Sequence, residues 1–332
     1  MIDSAGMDLA DASILVTGGT GSFGTAFVER MLACDPPRRL VVLSRDEAKQ
    51  AAMAARYPSP PLRFFLGDVR DYSRLVEAFQ GCAVVVHAAA LKRVDQGCYN
   101  PDELLKTNVL GTRNVLRAAV TAGVPRVLVL SSDKAVEPHN VYGVSKAMAE
   151  ALAVQWNAYS YPQGTMVAVL RYGNVLGSRG SVVHLWRDQC AAGVPLTLTD
   201  PRMTRFWLTL PQAVSYAMQA IATMAGGEIF VPVMPSMTLG ELAEAMVPRQ
   251  APRITGRRAG GEKDHETLLN ADEVRRAVWA NGWYVIEPAV RSWGKPVAGR
   301  PLAATVIYRS DQNPWRVTVD EMRALLETAP PP

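Results

Sequence analysis

Between residues 131 and 146 the chain reads SSDKAVEPHNVYGVSK, which sets hydroxyls, a carboxylate, an amine, a phenol and a second amine close together. That is a complement for proton transfer rather than for packing. Tyr142 and Lys146 stand four residues apart at the start of a stretch that continues through Ala147, Met148, Ala149 and Leu152. On a helix they share one face, about a turn apart. A phenol has a pKa of about 10 in water, and a nearby ammonium favours its anion, so the pair is expected to bring Tyr142 toward neutrality as an acid and base. Ser132, Asp133 and Lys134 add a hydroxyl, a carboxylate and an amine just upstream. The plain reading of the last two is a solvated ion pair at a strand end.

These groups need a scaffold, and the chain supplies one in alternating segments. Short apolar runs at 14–17, 40–43, 62–65, 83–87, 127–130 and 166–170 are separated by longer amphipathic stretches. This rhythm predicts an α/β doubly wound parallel sheet, a Rossmann fold, with residues 131–132 where the fifth strand leaves the sheet. The first turn, TGGTGSFG, places Gly18, Gly21 and Gly24 between a strand and a helix continued by residues 26–32. Glycines there allow a tight turn and close approach of a pyrophosphate to a helix N-terminus. The second strand ends in Ser44, Arg45 and Asp46. Arg45, helped by Ser44 and Lys49, offers a guanidinium to a 2′-phosphate and so predicts NADP; if Asp46 instead accepts from the ribose, the coenzyme is NAD. Asp68 and Val69 after the third strand suit an adenine, and the small residues Ala88, Ala89 and Ala90 leave room for a nicotinamide ribose. His87 reads as a packed strand-end imidazole.

A chain of 332 residues with 48% hydrophobic and 20% charged residues is that of a folded globular protein with one large domain and a smaller lobe. Its net charge of +4 (35 basic, 31 acidic residues) comes without a dense basic run, which favours an anionic small molecule over nucleic acid. Cys34, Cys82, Cys98 and Cys190 lie far apart with no CxxC pair, as expected of reduced thiols in a cytoplasmic protein without a metal site. No apolar run reaches a membrane span, and the N-terminus lacks the pattern of a signal peptide.

The segments TGGTGSFG, LSRDEAKQ, LRFFLGDVRDY, HAAALK, YNPDELLKTNVLGT, SSDKAVEPHNVYGVSK, RYGNVLGSRGSV, DPRMTRFWLTL and GGEIFVP together resemble the inverting UDP-N-acetylglucosamine 4,6-dehydratases, a branch of the extended short-chain dehydrogenase/reductases. The resemblance runs from about residue 14 to 288. It implies an NADP-binding Rossmann domain over 11–175, revisited by 208–232, with a UDP-sugar held by a lobe of 176–207 and 233–332, and a homo-oligomer (dimer or larger). It also implies that Tyr142, with Lys146 and Ser132, serves oxidation at C4, while Lys134 is the base at C5 and Asp133 the acid for the departing 6-hydroxyl. Lys134 must then fall from about 10.4 toward about 7–8, through desolvation and nearby cations, and Asp133 must rise enough to hold a proton. Thr20, Ser22, Phe23, Lys92 and Asn108 join the expected coenzyme contacts, with Asn108 as the helix asparagine that holds active-site geometry. Lys92, Asn174, Arg179, Val182, Thr204, Arg205, Arg258 and Glu262 are expected on the sugar nucleotide, the guanidinium groups of Arg179 and Arg205 near its diphosphate.

Two segments depart from the family pattern: 93–98, where a different loop borders the sugar in relatives, and 258–263, one residue longer than the family's RPGEK and lacking its proline. Cys98 has no base partner for a nucleophilic role. The aromatic residues of RFWLTL and NGWYVIEP read as lobe core, and the tail after residue 288 either packs on the lobe or joins subunits. A UDP-sugar 4-epimerase, a 4,6-dehydratase for another nucleotide sugar and a silent NADP-binding regulator are the competing readings. The adjacent Asp133 and Lys134 separate the first from a dehydratase, since epimerisation has no use for an acid and base aimed at C6 and C5.

Overall fold

The computed structural model describes residues 11–34, 36–160, 164–248, 251–257 and 260–329. Its first half alternates as the apolar runs predict: β1 (Ser13–Thr17), α1 (Ser22–Cys34), β2 (Arg39–Ser44), α2 (Glu47–Arg56), β3 (Leu62–Leu66), α3 (Tyr72–Phe79), β4 (Val84–His87), the short α4 (Val94–Tyr99) and α5 (Pro101–Leu104), α6 (Gly111–Thr121), β5 (Arg126–Ser132), α7 (Val141–Ser160) and β6 (Met166–Tyr172). A π-helical turn, Leu105–Leu110, joins α5 to α6. The strands are parallel in the order β3-β2-β1-β4-β5-β6, which reverses direction between β1 and β4. That reversal opens a crevice at the carboxyl ends of the strands. Alternating side chains feed two cores, one per face: Leu15, Val41 and Val85 on one side, Ile14, Val16 and Val42 on the other.

The second half is a lobe that returns to the sheet more than once. It contains β7 (Asn174–Val175), α8 (Val182–Ala191), β8 (Thr197–Leu198), β9 (Thr204–Leu208), α9 (Leu210–Thr223), β10 (Ile229–Pro232), β11 (Ser236–Thr238), α10 (Leu239–Met246), β12 (Arg253–Ile254), β13 (Thr267–Leu269), β14 (Ala277–Ala280), β15 (Trp283–Ile286), β16 (Arg300–Pro301), β17 (Tyr308–Arg309) and α11 (Val319–Thr328). β10 extends the parallel sheet beside β6. The sheet does not stop there. β15, β14 and β16 add to it antiparallel, so the expected division at 233 does not coincide with an edge of the sheet. They cover the edge that β10 would otherwise leave unpaired. Asn281 and Gly282, both at positive φ, close the β14–β15 hairpin in the two-residue turn that Asn-Gly favours.

A third core holds the lobe together, with Trp186, Trp207, Met203 and Leu242 packed against Met322 and Leu326 of α11. The tail therefore packs on the lobe; of the RFWLTL aromatics, expected as lobe core, Trp207 lies in this core whereas Phe206 packs into the core of the large sheet. Trp293 anchors the segment before β16 by donating to the Gly226 carbonyl. Among the described residues no helix is long and apolar enough to cross a membrane.

One buried ionic group ties the lobe to the sheet. Arg171 at the end of β6 meets Glu150 of α7 at 2.6 Å and Glu273 at 2.7 Å, and donates to the Leu268 carbonyl at 2.9 Å. Truncating it strands two buried carboxylates. Arg171→Met is expected to destabilise the protein by about 3–5 kcal/mol, whereas adding Glu150→Leu and Glu273→Leu restores most of the loss; denaturant midpoints check both.

Candidate active site

At the carboxyl ends of β1, β2 and β4 lies a groove of about 670 Å³. Gly18, Thr20, Gly21, Ser44, Arg45, Lys49, Asp68, Val69, Ala88, Ala89 and Ala90, all expected there, line it. Gly18 sits at φ +64°, and a Cβ on it would come within 2.8 Å of the Ala89 backbone. Gly24 serves helix packing instead. A Cβ there would lie 2.4 Å from Gly19 Cα, so this glycine lets α1 seat on the loop. Phe23 stacks on Phe27, and the Ser22 hydroxyl accepts from the Arg179 backbone, so neither is among the residues lining the groove. Arg179 is. Expected on a sugar diphosphate, it instead donates to the Thr20 carbonyl at 2.8 Å and closes the rim of this groove. Leu43, Asp46, Gly67 and Thr107 also line it, and no spacing signal in the sequence marks Leu43 or Thr107.

The carboxylates near this groove are already engaged. Asp46 caps α2 through Lys49 N at 3.0 Å and pairs with the Lys49 ammonium, which holds its carboxyl below the usual range. Asp68 is bound by Arg70 at 2.8 Å and lies 3.5 Å from Arg45. Arg45 is half exposed, with Asp68 its only ion-pair partner among the described residues. His87 is packed between the hydroxyls of Thr17 (2.8 Å) and Thr112 (3.0 Å), and burial followed by the Lys146 charge lowers its pKa to about 3, so it stays neutral.

Asn108 sits in the π-helical turn, a widening of the helix that often marks a working residue. Its amide grips both backbone groups of Leu91 (2.8 and 2.9 Å) and the Ser145 hydroxyl (2.9 Å), and Ser145 in turn donates to the Tyr142 carbonyl. It locks the segment after β4 to α7 and is not among the residues lining the groove. Lys92 reaches toward Ser178 at 3.5 Å, at the seam between groove and lobe.

The chemistry-bearing residues converge where β5 ends. Lys146 donates to the Leu130 carbonyl at 2.6 Å; burial, opposed by Glu150, brings its pKa down to about 8. Tyr142 differs from expectation. Burial drives its phenol up to about 12, and the cation that counters this is Lys134 rather than Lys146. Ser132 donates to Asp133 Oδ1 at 2.7 Å. Asp133 is fully buried, its Oδ2 has no hydrogen-bond partner among the described residues, and burial raises its pKa.

Lys134 corrects the sequence reading outright. Its Nζ lies 2.8 Å from Asp133 Oδ1, 2.8 Å from Asn174 Oδ1 and 3.2 Å from Glu266 Oε1. Burial opposes its charge, but the two carboxylates outweigh burial and hold it above the ordinary lysine range. A solvated ion pair is also excluded, since Asp133 is inaccessible.

Most of the residues expected on the sugar nucleotide turn inward. Arg205 of β9 is buried, donating to the Thr204 and Asp264 carbonyls and to Glu262 at 3.0 Å. The Thr204 hydroxyl is shared between His265 and Ser310. Val182 packs against the lobe core. Glu262 is bound to Arg205, and Arg258 lies outside the described residues. Asn174 does face the site, through Lys134. The segment expected to grip a nucleotide thus braces the turn after β5: Lys263 donates to the carbonyls of Asp133 (3.1 Å) and Val136 (2.6 Å). Glu266 was not foreseen. The only trace in the sequence is an acid three residues after Lys263, with nothing to connect it to Lys134.

Residues 14–288 match the family model described as "Polysaccharide biosynthesis protein". A UDP-N-acetylglucosamine 4,6-dehydratase (inverting) from Campylobacter jejuni is 39% identical over 95% of this chain and 97% of its own. A UDP-glucose 4-epimerase from Rickettsia massiliae is 38% identical over 96% of each. Among solved structures, Pen from Bacillus thuringiensis superposes with a TM-score of 0.88 at 32% identity, over 97% of this chain and 99% of that one. DesIV, a dTDP-glucose 4,6-dehydratase from Streptomyces venezuelae with NAD bound, gives 0.68 at 28% identity over 75% of this chain and 86% of its own.

Proposed function

The chain belongs to the polysaccharide-biosynthesis family of nucleotide-sugar dehydratases and epimerases, and from that premise we propose that it is an inverting 4,6-dehydratase of UDP-N-acetylglucosamine that works with NADP. The observation that carries this reading is the buried acid and amine at the end of β5, one carboxyl set to hold a proton beside one ammonium. The curated Campylobacter relative supports the choice of sugar.

The groove fits a nicotinamide dinucleotide, with Gly18, Gly21 and the α1 N-terminus for the pyrophosphate and small residues 88–90 beyond. Bound there, the coenzyme supplies the acceptor and later the donor of one hydride. NADP is favoured because Asp46 is committed to capping α2 and to Lys49, which leaves Ser44 and the half-exposed Arg45 to face a 2′-phosphate.

Tyr142, a neutral phenol at rest because burial raises its pKa to about 12, must first give up its own proton; as the phenolate, with Ser132 alongside, it takes the proton of the sugar 4-hydroxyl as C4 is oxidised. The 4-ketone acidifies C5. Lys134 then receives the C5 proton, and Asp133 protonates the 6-hydroxyl as it leaves as water. Hydride addition at C6 and protonation of C5 from the opposite face complete the inversion, with no net redox change. Because Lys134 is a cation at rest, it must release a proton before it can accept one.

The similarity to the Rickettsia epimerase favours a second reading, in which hydride returns to C4. That reaction leaves the buried Asp133 and Lys134 with no step to serve.

With UDP-N-acetylglucosamine in heavy water, the product is expected to lose one water, carry deuterium at C5 and have the inverted configuration by NMR. An isomer of unchanged mass would support the epimerase instead. Arg45→Ala is expected to weaken NADP about 10–100-fold while leaving NAD nearly unchanged, as titration calorimetry would show.

A further inference from the structure

We propose that Glu266 is the positioning residue that fixes the charge of Lys134, a carboxylate delivered by the lobe to the end of a strand in the sheet. The inference rests on the reading of Lys134 as a working residue.

Glu266 is held rigidly. Its backbone N donates to the Ser310 hydroxyl at 2.9 Å and its carbonyl accepts from the Ser310 backbone at 2.9 Å. The side chain is buried, with Oε1 3.2 Å from Lys134 Nζ, Oε2 3.2 Å from Lys263 Nζ and Oε1 3.9 Å from Arg205 Nε. Lys263 does not replace Lys134, because its short hydrogen bonds go to the carbonyls of Asp133 and Val136.

The groups facing Lys134 are Asp133 from its own turn, Tyr142 from α7, the neutral Asn174 from β7, Arg205 from β9, and Glu266 with Lys263 from the segment before β13. The two carboxylates among them are unequal. Asp133 is raised by burial and inclined to keep a proton. Burial also acts against ionised Glu266, but Lys134, Arg205 and Lys263 prevail and bring its pKa down to about 2. The negative charge is therefore held more firmly by Glu266 than by Asp133, and Lys134 is kept as an ammonium not by its own turn alone but also by a carboxylate from outside it.

The test titrates Lys134 directly and needs no sugar. Only a free amine acylates, so competitive labelling with acetic anhydride across neutral to alkaline pH, read by mass spectrometry of the Lys134 peptide, gives its titration midpoint in the full protein. Glu266→Gln keeps the shape and removes the charge. The midpoint is expected to fall by about one unit or more, roughly tenfold more free amine below it, while that of Lys146 stays put. A merely structural Glu266 would lower thermal stability and leave the Lys134 midpoint where it was, which would overturn the proposal. If Glu266→Gln fails to fold, Lys263→Gln removes a cation and leaves Glu266 in place. Its Lys134 midpoint must then rise, and an unmoved or lowered one would overturn the proposal equally. Failure to dehydrate UDP-N-acetylglucosamine would leave this titration intact, so the two readings fail separately.

Discussion

Lys134 is shared by two carboxylates that arrive from different parts of the chain, Asp133 from the turn after β5 and Glu266 from the lobe. Two carboxyl groups and an ammonium can be buried together only if each finds partners, since an unpaired buried charge costs several kcal/mol. The surrounding structure meets that demand. Asn174 takes a third contact of Lys134, Arg205 and Lys263 flank Glu266, and Lys263 also holds the backbone of the turn. Sheet and lobe are therefore joined by electrostatics at the place where the chemistry is read, and the Arg171 group joins them a second time.

Tyr142 and Lys146 lie on α7 as their spacing requires, and on the proposed reading they serve the oxidation at C4, while Asp133 and Lys134, just past the end of β5, give the oxidised sugar a second fate. Environment separates them: burial raises Asp133 toward its protonated form, while Glu266, held ionised among Lys134, Arg205 and Lys263, favours charged Lys134.

The parallel half of the fold was legible because each strand is a short apolar run bounded by turn residues, and the glycine turn because its spacing answers to a steric need. Contacts between distant segments were not legible. Nothing local to 262–266 indicates that Lys263 and Glu266 reach the turn after β5, and cations such as Arg179 and Arg205 read as phosphate ligands until the carbonyls they bind are seen. The pKa directions of Tyr142 and Lys134 differ from expectation for the same reason: spacing shows which charges are adjacent in sequence, whereas burial and Glu266 decide the outcome. The Asn281-Gly282 hairpin is the exception in the lobe, a turn whose signal is local and stands in the sequence itself.

The most direct measurement is the fate of UDP-N-acetylglucosamine with the Asp133→Asn, Lys134→Met double variant, following coenzyme absorbance and product mass together. On the proposed reading oxidation at C4 rests on Tyr142, Lys146 and Ser132, so reduced coenzyme or the C4 epimer should form while water loss falls by at least about a hundredfold. Water loss at an undiminished rate would contradict the account, because elimination would then owe nothing to the buried pair.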